Sequence, residues 1–426
     1  MNRKALIAAG LIAGVGVITA GAAWVSLGGD ESEDAQVLEP SASAPITATA
    51  RPTLDPTPTP TPLPTPLPSV SGDVAAYRAI FARDSAIDSR SAGGELWMSR
   101  LDGSGRKRLS GEGESAALAG IAPHPSTRSE AMYFVTLDDA TRRTIWAVDL
   151  ATFERMKLFS FESRRDDQAD AAISPDGRNI AYAHTLGIEM VDLYTGARRH
   201  LFDNGPVECD AGSCFGHSQP QWSPDGTLLA VRKTFWEGGT TVIVDPFASV
   251  LAPITNDSFD GPSSARWSPE GDQICGYGTY GGSALFFAAA PDWTFSLVPG
   301  GHELIGTYGI VAACDWVTTG QVALALNVLR PDTDGDVVPE GSVEILLYDI
   351  AATTPRLVAS FDQGIAIGTG PLIAIPQTTI VLTQQSITEP GQQYGTLSRP
   401  EAIDVNSGAQ TPLLESGDRI LAVLSP

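Results

Sequence analysis

Basic residues are scarce in this chain of 426 residues: 27 Lys and Arg stand against 50 Asp and Glu, a formal net charge of -23. Nucleic acid needs basic patches to neutralise its phosphates, so that class of partner is excluded. Docking of the chain's bulk on anionic lipid is disfavoured for the same reason. Histidine is rare as well, with five residues scattered at His124, His184, His200, His217 and His302. Neither a Gly-x-Ser-x-Gly elbow nor a His-Glu-x-x-His pair occurs, so two common hydrolase signatures are missing. Cysteine is limited to four positions. Only one apolar run is long enough to cross a bilayer as a helix, and it lies at the very start.

That run spans residues 5 to 29, preceded by Arg3 and Lys4 and followed by Asp30, Glu31, Glu33 and Asp34. The charge asymmetry predicts a start inside the cell and a remainder outside it. Two readings compete for residues 1–29. One is an uncleaved signal anchor; the other is a signal peptide cut after Ala22, where Ala20-Gly21-Ala22 fits a small-residue site. The anchor is preferred because the apolar run continues through Trp24, Val25 and Leu27. The expected location is thus the cell membrane, single-pass, with the bulk outside the cytoplasm, or secretion if the signal is removed. Residues 30–72 alternate Pro with Thr or Leu in "DPTPTPTPLPTPLP". Proline fixes φ and removes donors, so a disordered, extended stalk is predicted there.

Residues 73–426 repeat. Ser-Pro-Asp-Gly occurs in "AAISPDGRNIAY" from Ala171 and "QWSPDGTLLAV" from Gln221, and as Ser-Pro-Glu-Gly in "RWSPEGDQICGY" from Arg266. Pro suits the second position of a type I turn, Asp the third and Gly the fourth. Each copy therefore reads as strand, tight turn, strand. Weaker copies begin at Gly120, Cys314 and Ile373. A second pattern of hairpins starts near Leu96, Ile145, Ile188, Thr241, Ala284, Ile345 and Pro400, with Asp149, Asp192, Asp245, Asp349 and Asp404 at a common position. Their predicted role is to organise the following loop by accepting backbone N–H bonds. Seven outer hairpins and six inner units leave the first hairpin without an inner strand. The C-terminal "RILAVLSP" from Arg419 fits the vacancy, with Leu424-Ser425-Pro426 in the Trp-Ser-Pro slot. The prediction is an all-β, seven-bladed β-propeller closed by its C-terminal strand, six and eight being the neighbouring counts.

Trp-Ser-Pro-Asp-Gly, an Ile-Ala-Tyr-like strand and a strand ending in Val-Asp-Leu resemble the TolB-type, WD-like β-propeller repeat. The likeness covers roughly residues 75 to 426. It implies an extracytoplasmic propeller that acts in the cell envelope, with an anchor and stalk here where TolB carries a further N-terminal domain.

Connections between the second and third strands of each blade, and between blades, share one face and are irregular in length. Variable loops on a rigid scaffold are where binding concentrates. Trp236, Tyr280, Tyr308 and Tyr394 fall in them and suit contact with a protein or glycan. Asp332, Asp334 and Asp336 alternate around Gly335 with Glu340 downstream; this is either a short calcium loop or a solvated acidic turn. Cys209 and Cys214 share one exported loop, so a local disulfide is expected. Cys275 and Cys314 fall on strands of adjacent blades, either paired or as buried thiols. The sequence thus points to a monomeric, non-catalytic binding scaffold for a cell-envelope protein or glycan. The rival is a hydrolase or lyase acting on a surface polymer through the axial pocket.

Overall fold

A computed structural model describes residues 76–83, 94–138, 141–163, 170–204, 216–235, 238–248, 262, 264–279, 282–298, 309–331, 337–362, 366–369, 372–375, 378–387, 396–397, 400–415 and 417–425. The chain divides into two units, Met1–Leu63 and Pro64–Pro426. The expected membrane span and stalk lie outside the described residues, among which no helix is long and apolar enough to cross a membrane.

The described part of the second unit is a seven-bladed β-propeller made of antiparallel meanders. Blade 2 shows the plan: Ala116–Pro123, Glu130–Leu137, Arg142–Asp149 and Arg155–Glu162 pair in chain order from the innermost strand outward. Blades 3, 4, 5 and 6 begin with the innermost strands Ala171–Ile173, Gly216–Trp222, Ser264–Trp267 and Gly309–Thr318. Blade 7 is built on Ile373–Ala374, Ile380–Thr383, Glu401–Asp404 and Gln410–Pro412. Its hairpin is prolonged by a small separate sheet of Ala366–Thr369, Gln385–Ile387 and Thr396–Leu397.

Blade 1 is assembled from both ends of the propeller. Arg78–Arg83 pairs with Glu95–Arg100 on its outer side and with Asp418–Leu424 on its inner side. The C-terminal strand supplies the missing inner strand, with Leu424 opposite Arg78. An ion cluster holds its start: the fully buried Asp418 accepts from Arg83 Nε at 3.1 Å and from Arg106, and Glu415 pairs with the same two arginines. The clustered carboxylates and guanidiniums satisfy each other where a lone buried charge would be costly.

The core lies between blades. Tyr133 and Ile145 of blade 2 pack on Ile180 and Tyr182 of blade 3. Ile188 and Met190 of blade 3 pack on Trp222, Leu229 and Val242 of blade 4. A blade is covered on both sides, so its middle strands read as continuous apolar runs such as "AMYFV", buried throughout, rather than alternating ones.

The Ser-Pro-Asp-Gly turns fold as their chemistry predicts. Gly177 N–H donates to Ser174 carbonyl at 2.8 Å, and Gly177 has φ +71°, which glycine tolerates without strain. Ser174 Oγ accepts from Asn179 N–H at 2.8 Å and donates to Asp176 at 2.5 Å, which ties the turn shut. Ser223 and Asp225 repeat this. In the Glu270 copy, Ser268 Oγ bonds Asp272 instead at 3.0 Å, so the substitution is absorbed two residues later. In blade 2, His124 takes the serine's place, its Nδ1 accepting from Ser126 and Thr127 N–H at 3.3 Å each. Successive turns stack: a Cβ on Gly271 would lie 3.2 Å from Pro224, and one on Gly226 would lie 3.4 Å from Pro175.

The tryptophans staple blades to each other. Trp222 Nε1 donates to Ala172 carbonyl at 3.0 Å, Trp267 Nε1 to Gln221 carbonyl at 3.2 Å, and Trp316 Nε1 to Arg266 carbonyl at 2.9 Å. Each acceptor immediately precedes the equivalent slot of the preceding blade. Between blades 5 and 6 the staple is covalent as well: Cys275 and Cys314 form a disulfide, which decides between the two readings left open for them.

Candidate functional site: the axial cavity and the loop face

The recurring Asp residues organise loops. Asp149 Oδ1 accepts from Ala151 and Thr152 N–H at 2.8 and 3.0 Å, and Asp192 from Tyr194 and Thr195 at 2.9 Å each. Asp245 and Asp404 do the same, and Asp349 accepts from Ala352. For Asp192, burial pushes the carboxyl up, but the N–H groups of Thr195 and Tyr194 and the Arg178 guanidinium outweigh it and hold it at about 2. With the repeated Asp, Trp and Ser-Pro-Asp-Gly residues spent on the frame, the positions that vary at a fixed register carry what is specific to this chain.

One such position precedes the Trp-Ser-Pro slot on each innermost strand. It is Ala172 in blade 3, Gln221 in blade 4, Arg266 in blade 5 and Asp315 in blade 6. The last three form a polar arc on consecutive blades. Gln221, with its amide oriented to satisfy both ends, donates to Ala265 carbonyl at 3.0 Å and accepts from Arg266 at 3.2 Å. Asp315 accepts from Trp316 N–H at 3.0 Å and across the seam from Ala374 N–H of blade 7 at 2.8 Å. Burial pushes the Asp315 carboxyl up, opposed by the Arg266 charge and those two N–H groups.

Gln221 and Arg266 line an axial cavity of about 740 Å³. Its wall also carries Asp170, Gln219, Tyr277 and Arg419. Several innermost strands bulge along it, with register shifts at Leu118/Gly120, Ser218/Gln221 and opposite Ile80/Phe81. Gln219, at the second of these, has φ +49° and donates its N–H to Asp170 at 3.1 Å. Bulges and left-handed non-glycine residues of this kind re-aim side chains and concentrate beside binding sites.

The sequence-predicted site residues have a different standing. Trp236, Tyr280, Tyr308, Tyr394, Asp332, Asp334, Asp336, Cys209 and Cys214 lie outside the described residues. Glu340 falls within the strand Val337–Asp349, and its side chain is likewise outside them. Their neighbourhood is tighter than the sequence suggested. Paired strands reach Phe235 and resume at Gly238, and reach Thr279 and resume at Gly282. Only residues 236–237 and 280–281 remain between them, because flanking β-formers extend the ladders into what read as loops. Among the described residues no group of three or more His, Cys, Asp or Glu is placed to hold a metal ion.

The arc went unread because its members differ from blade to blade. The signal was the slot itself: subtracting the shared Trp, Ser, Pro and Gly leaves Ala, Gln, Arg and Asp at one register.

No family model matches the chain, and no curated protein matches it in sequence. Solved structures do. The chain shares its β-propeller fold with them. TolB from Acinetobacter baumannii is 13% identical with a TM-score of 0.43, over 83% of this chain and 67% of that one. An oligogalacturonate lyase in complex with manganese is 12% identical with a TM-score of 0.49, over 80% and 86%. A puromycin-hydrolysing peptidase of Mycobacterium tuberculosis is 14% identical with a TM-score of 0.50, over 84% of this chain but only 56% of the peptidase. At such identities the likeness concerns the fold, and propellers carry many functions.

Proposed function

We propose that this protein is a membrane-tethered, extracytoplasmic propeller that acts as a non-catalytic binding scaffold for a cell-envelope protein or glycan. The observation that carries this reading is the division of labour within the ring. Its repeated polar residues are bonded into turns, loops and blade seams, which makes a stiff frame that presents one irregular loop face. The N-terminal apolar run and the Pro/Thr segment would place that frame outside the membrane. Trp236, Tyr280, Tyr308 and Tyr394 are the proposed contact residues. A calcium ion on Asp332, Asp334, Asp336 and Glu340 would brace the same face.

Cross-linking capture from native envelopes tests the reading, with the full chain as bait beside a Trp236→Ala, Tyr280→Ala, Tyr308→Ala variant. A partner held by the native chain and lost by the variant is the expected result. Equal capture by both, or none, overturns the assignment of that face. The rival reading, a hydrolase or lyase working on a surface polymer, draws on the polar axial cavity with Asp170 in its wall. Turnover of an envelope polymer that disappears in Asp170→Asn would favour it.

A further inference from the structure

The axial cavity carries an inference of its own, separate from the loop face. Arg266 lines the cavity and keeps its side chain exposed there, and among the described residues no carboxylate lies within ion-pair distance of it. Its guanidinium is held at one edge by the Gln221 amide at 3.2 Å. Asp315, the acid in the arc, takes N–H groups from Trp316 and Ala374 and makes no ion pair with Arg266 among the described residues. Across the arc, the equivalent position of blade 3 is Ala172, which leaves room. In a chain with net charge -23, this wall sets Arg266 and Arg419 against Asp170. A planar guanidinium with free donor edges matches the two oxygens of a carboxylate. The neighbouring Gln219 amide and Tyr277 hydroxyl are groups that pair with ligand hydroxyls. A cavity of about 740 Å³ is the size that encloses small molecules, not folded domains.

We infer that the Arg266–Gln221 pair is a carboxylate-binding subsite in the axial cavity, taking a small organic acid with its carboxylate against Arg266. Occupancy needs no partner on the loop face, so this inference and the scaffold reading fail separately.

Calorimetric titration of the full-length protein in detergent tests it with four probes: D-glucuronate, glutarate, D-glucose and inorganic phosphate. One-to-one binding of at least one of the two carboxylates, with glucose and phosphate failing to bind, is the expected result. Glucuronate alone would mark a sugar acid, and glutarate alone a plain diacid. Arg266→Gln should weaken that binding at least tenfold by removing the charge-assisted contact, Arg266→Lys should restore part of it, and Gln221→Leu, which releases the guanidinium from its anchor, should weaken it about threefold. Arg142→Gln, at the exposed first residue of the third strand of blade 2, should change nothing. Absence of carboxylate binding to the native protein, phosphate binding as tightly, or undiminished binding by a folded Arg266→Gln variant would each overturn the inference. Should Arg266→Gln fail to fold, the native selectivity and Gln221→Leu still decide it.

Discussion

Two joints of this ring use different chemistry for a reason. At the seam of blades 5 and 6, Cys275 and Cys314 are joined 39 residues apart by a disulfide, with the Trp316 to Arg266 hydrogen bond beside it. In blade 1, strand pairing joins residues up to 346 apart, Arg78 and Leu424, and the Asp418, Glu415, Arg83 and Arg106 cluster joins residues up to 335 apart. Bringing chain segments together over 335 residues costs roughly 2 kcal/mol more in loop entropy than over 39, by the logarithmic dependence on length. The closure answers with a full paired strand and a buried carboxylate held by two arginines; the seam, already close in sequence, is cross-linked. The covalent joint suits the exported location proposed above, since disulfides persist outside the reducing cytoplasm.

Breaking the closure should have the largest effect. Asp418→Ala removes the one fully buried member of the cluster; because Arg83 and Arg106 are partly exposed and keep Glu415, the cost should fall at the low end of the ~3–5 kcal/mol of a broken buried ion pair. Urea unfolding should show a lower midpoint, and amide exchange should show early opening of Asp418–Leu424 together with Arg78–Arg83. An unchanged midpoint would mean that strand pairing alone closes the ring.

Removing the disulfide is the next step down. Cys275→Ala with Cys314→Ala should cost about 2–4 kcal/mol, the usual range for a loop of this size. Here the exchange pattern sharpens the comparison, because protection should fall at the blade 5–6 seam while the closure stays protected. Protection lost everywhere at once would show that the ring unfolds as a single unit and that the two joints are not separable.

Smaller again is Trp316→Phe, which keeps the buried ring but removes the indole N–H to Arg266 carbonyl. One net hydrogen bond is worth about 1 kcal/mol. The same change at Trp267, half-buried and with a longer bond of 3.2 Å, should cost less.

These joints were unequally legible. The closing strand could be read because "LAVLSP" carries the repeat, and the turn residues could be read because Pro, Asp and Gly have local preferences that context rarely overrides. The blade count followed from the same periodicity. Asp418 could not be read: its burial depends on Arg83 and Arg106 at the other end of the chain, and no local pattern marks it. The pairing of Cys275 with Cys314 stayed open because strand assignment puts two residues on neighbouring blades without fixing their depth. Trp236 and Tyr280 read as lying in irregular connections, whereas the ladders on either side continue through Phe235 and Thr279 and resume at Gly238 and Gly282.

The smallest expected effect separates local frame from global joint. Asp192 is held down to about 2, against an ordinary aspartate value near 3.9. A carboxyl depressed in the folded state stabilises above its unfolded value, and that contribution is lost as pH falls through the folded one. Stability should therefore decline from about pH 4 to about pH 2. Asp192→Asn keeps an oxygen for the Tyr194 and Thr195 N–H groups but gives up the pair with Arg178, 2.8 Å away on an exposed side chain. At neutral pH the loss should stay under about 1 kcal/mol, as for other surface pairs. The acid limb of the variant should be shallower, and acid titrations of stability would read this directly. A limb as steep as the native one would show that Asp192 does not set the acid sensitivity of the fold.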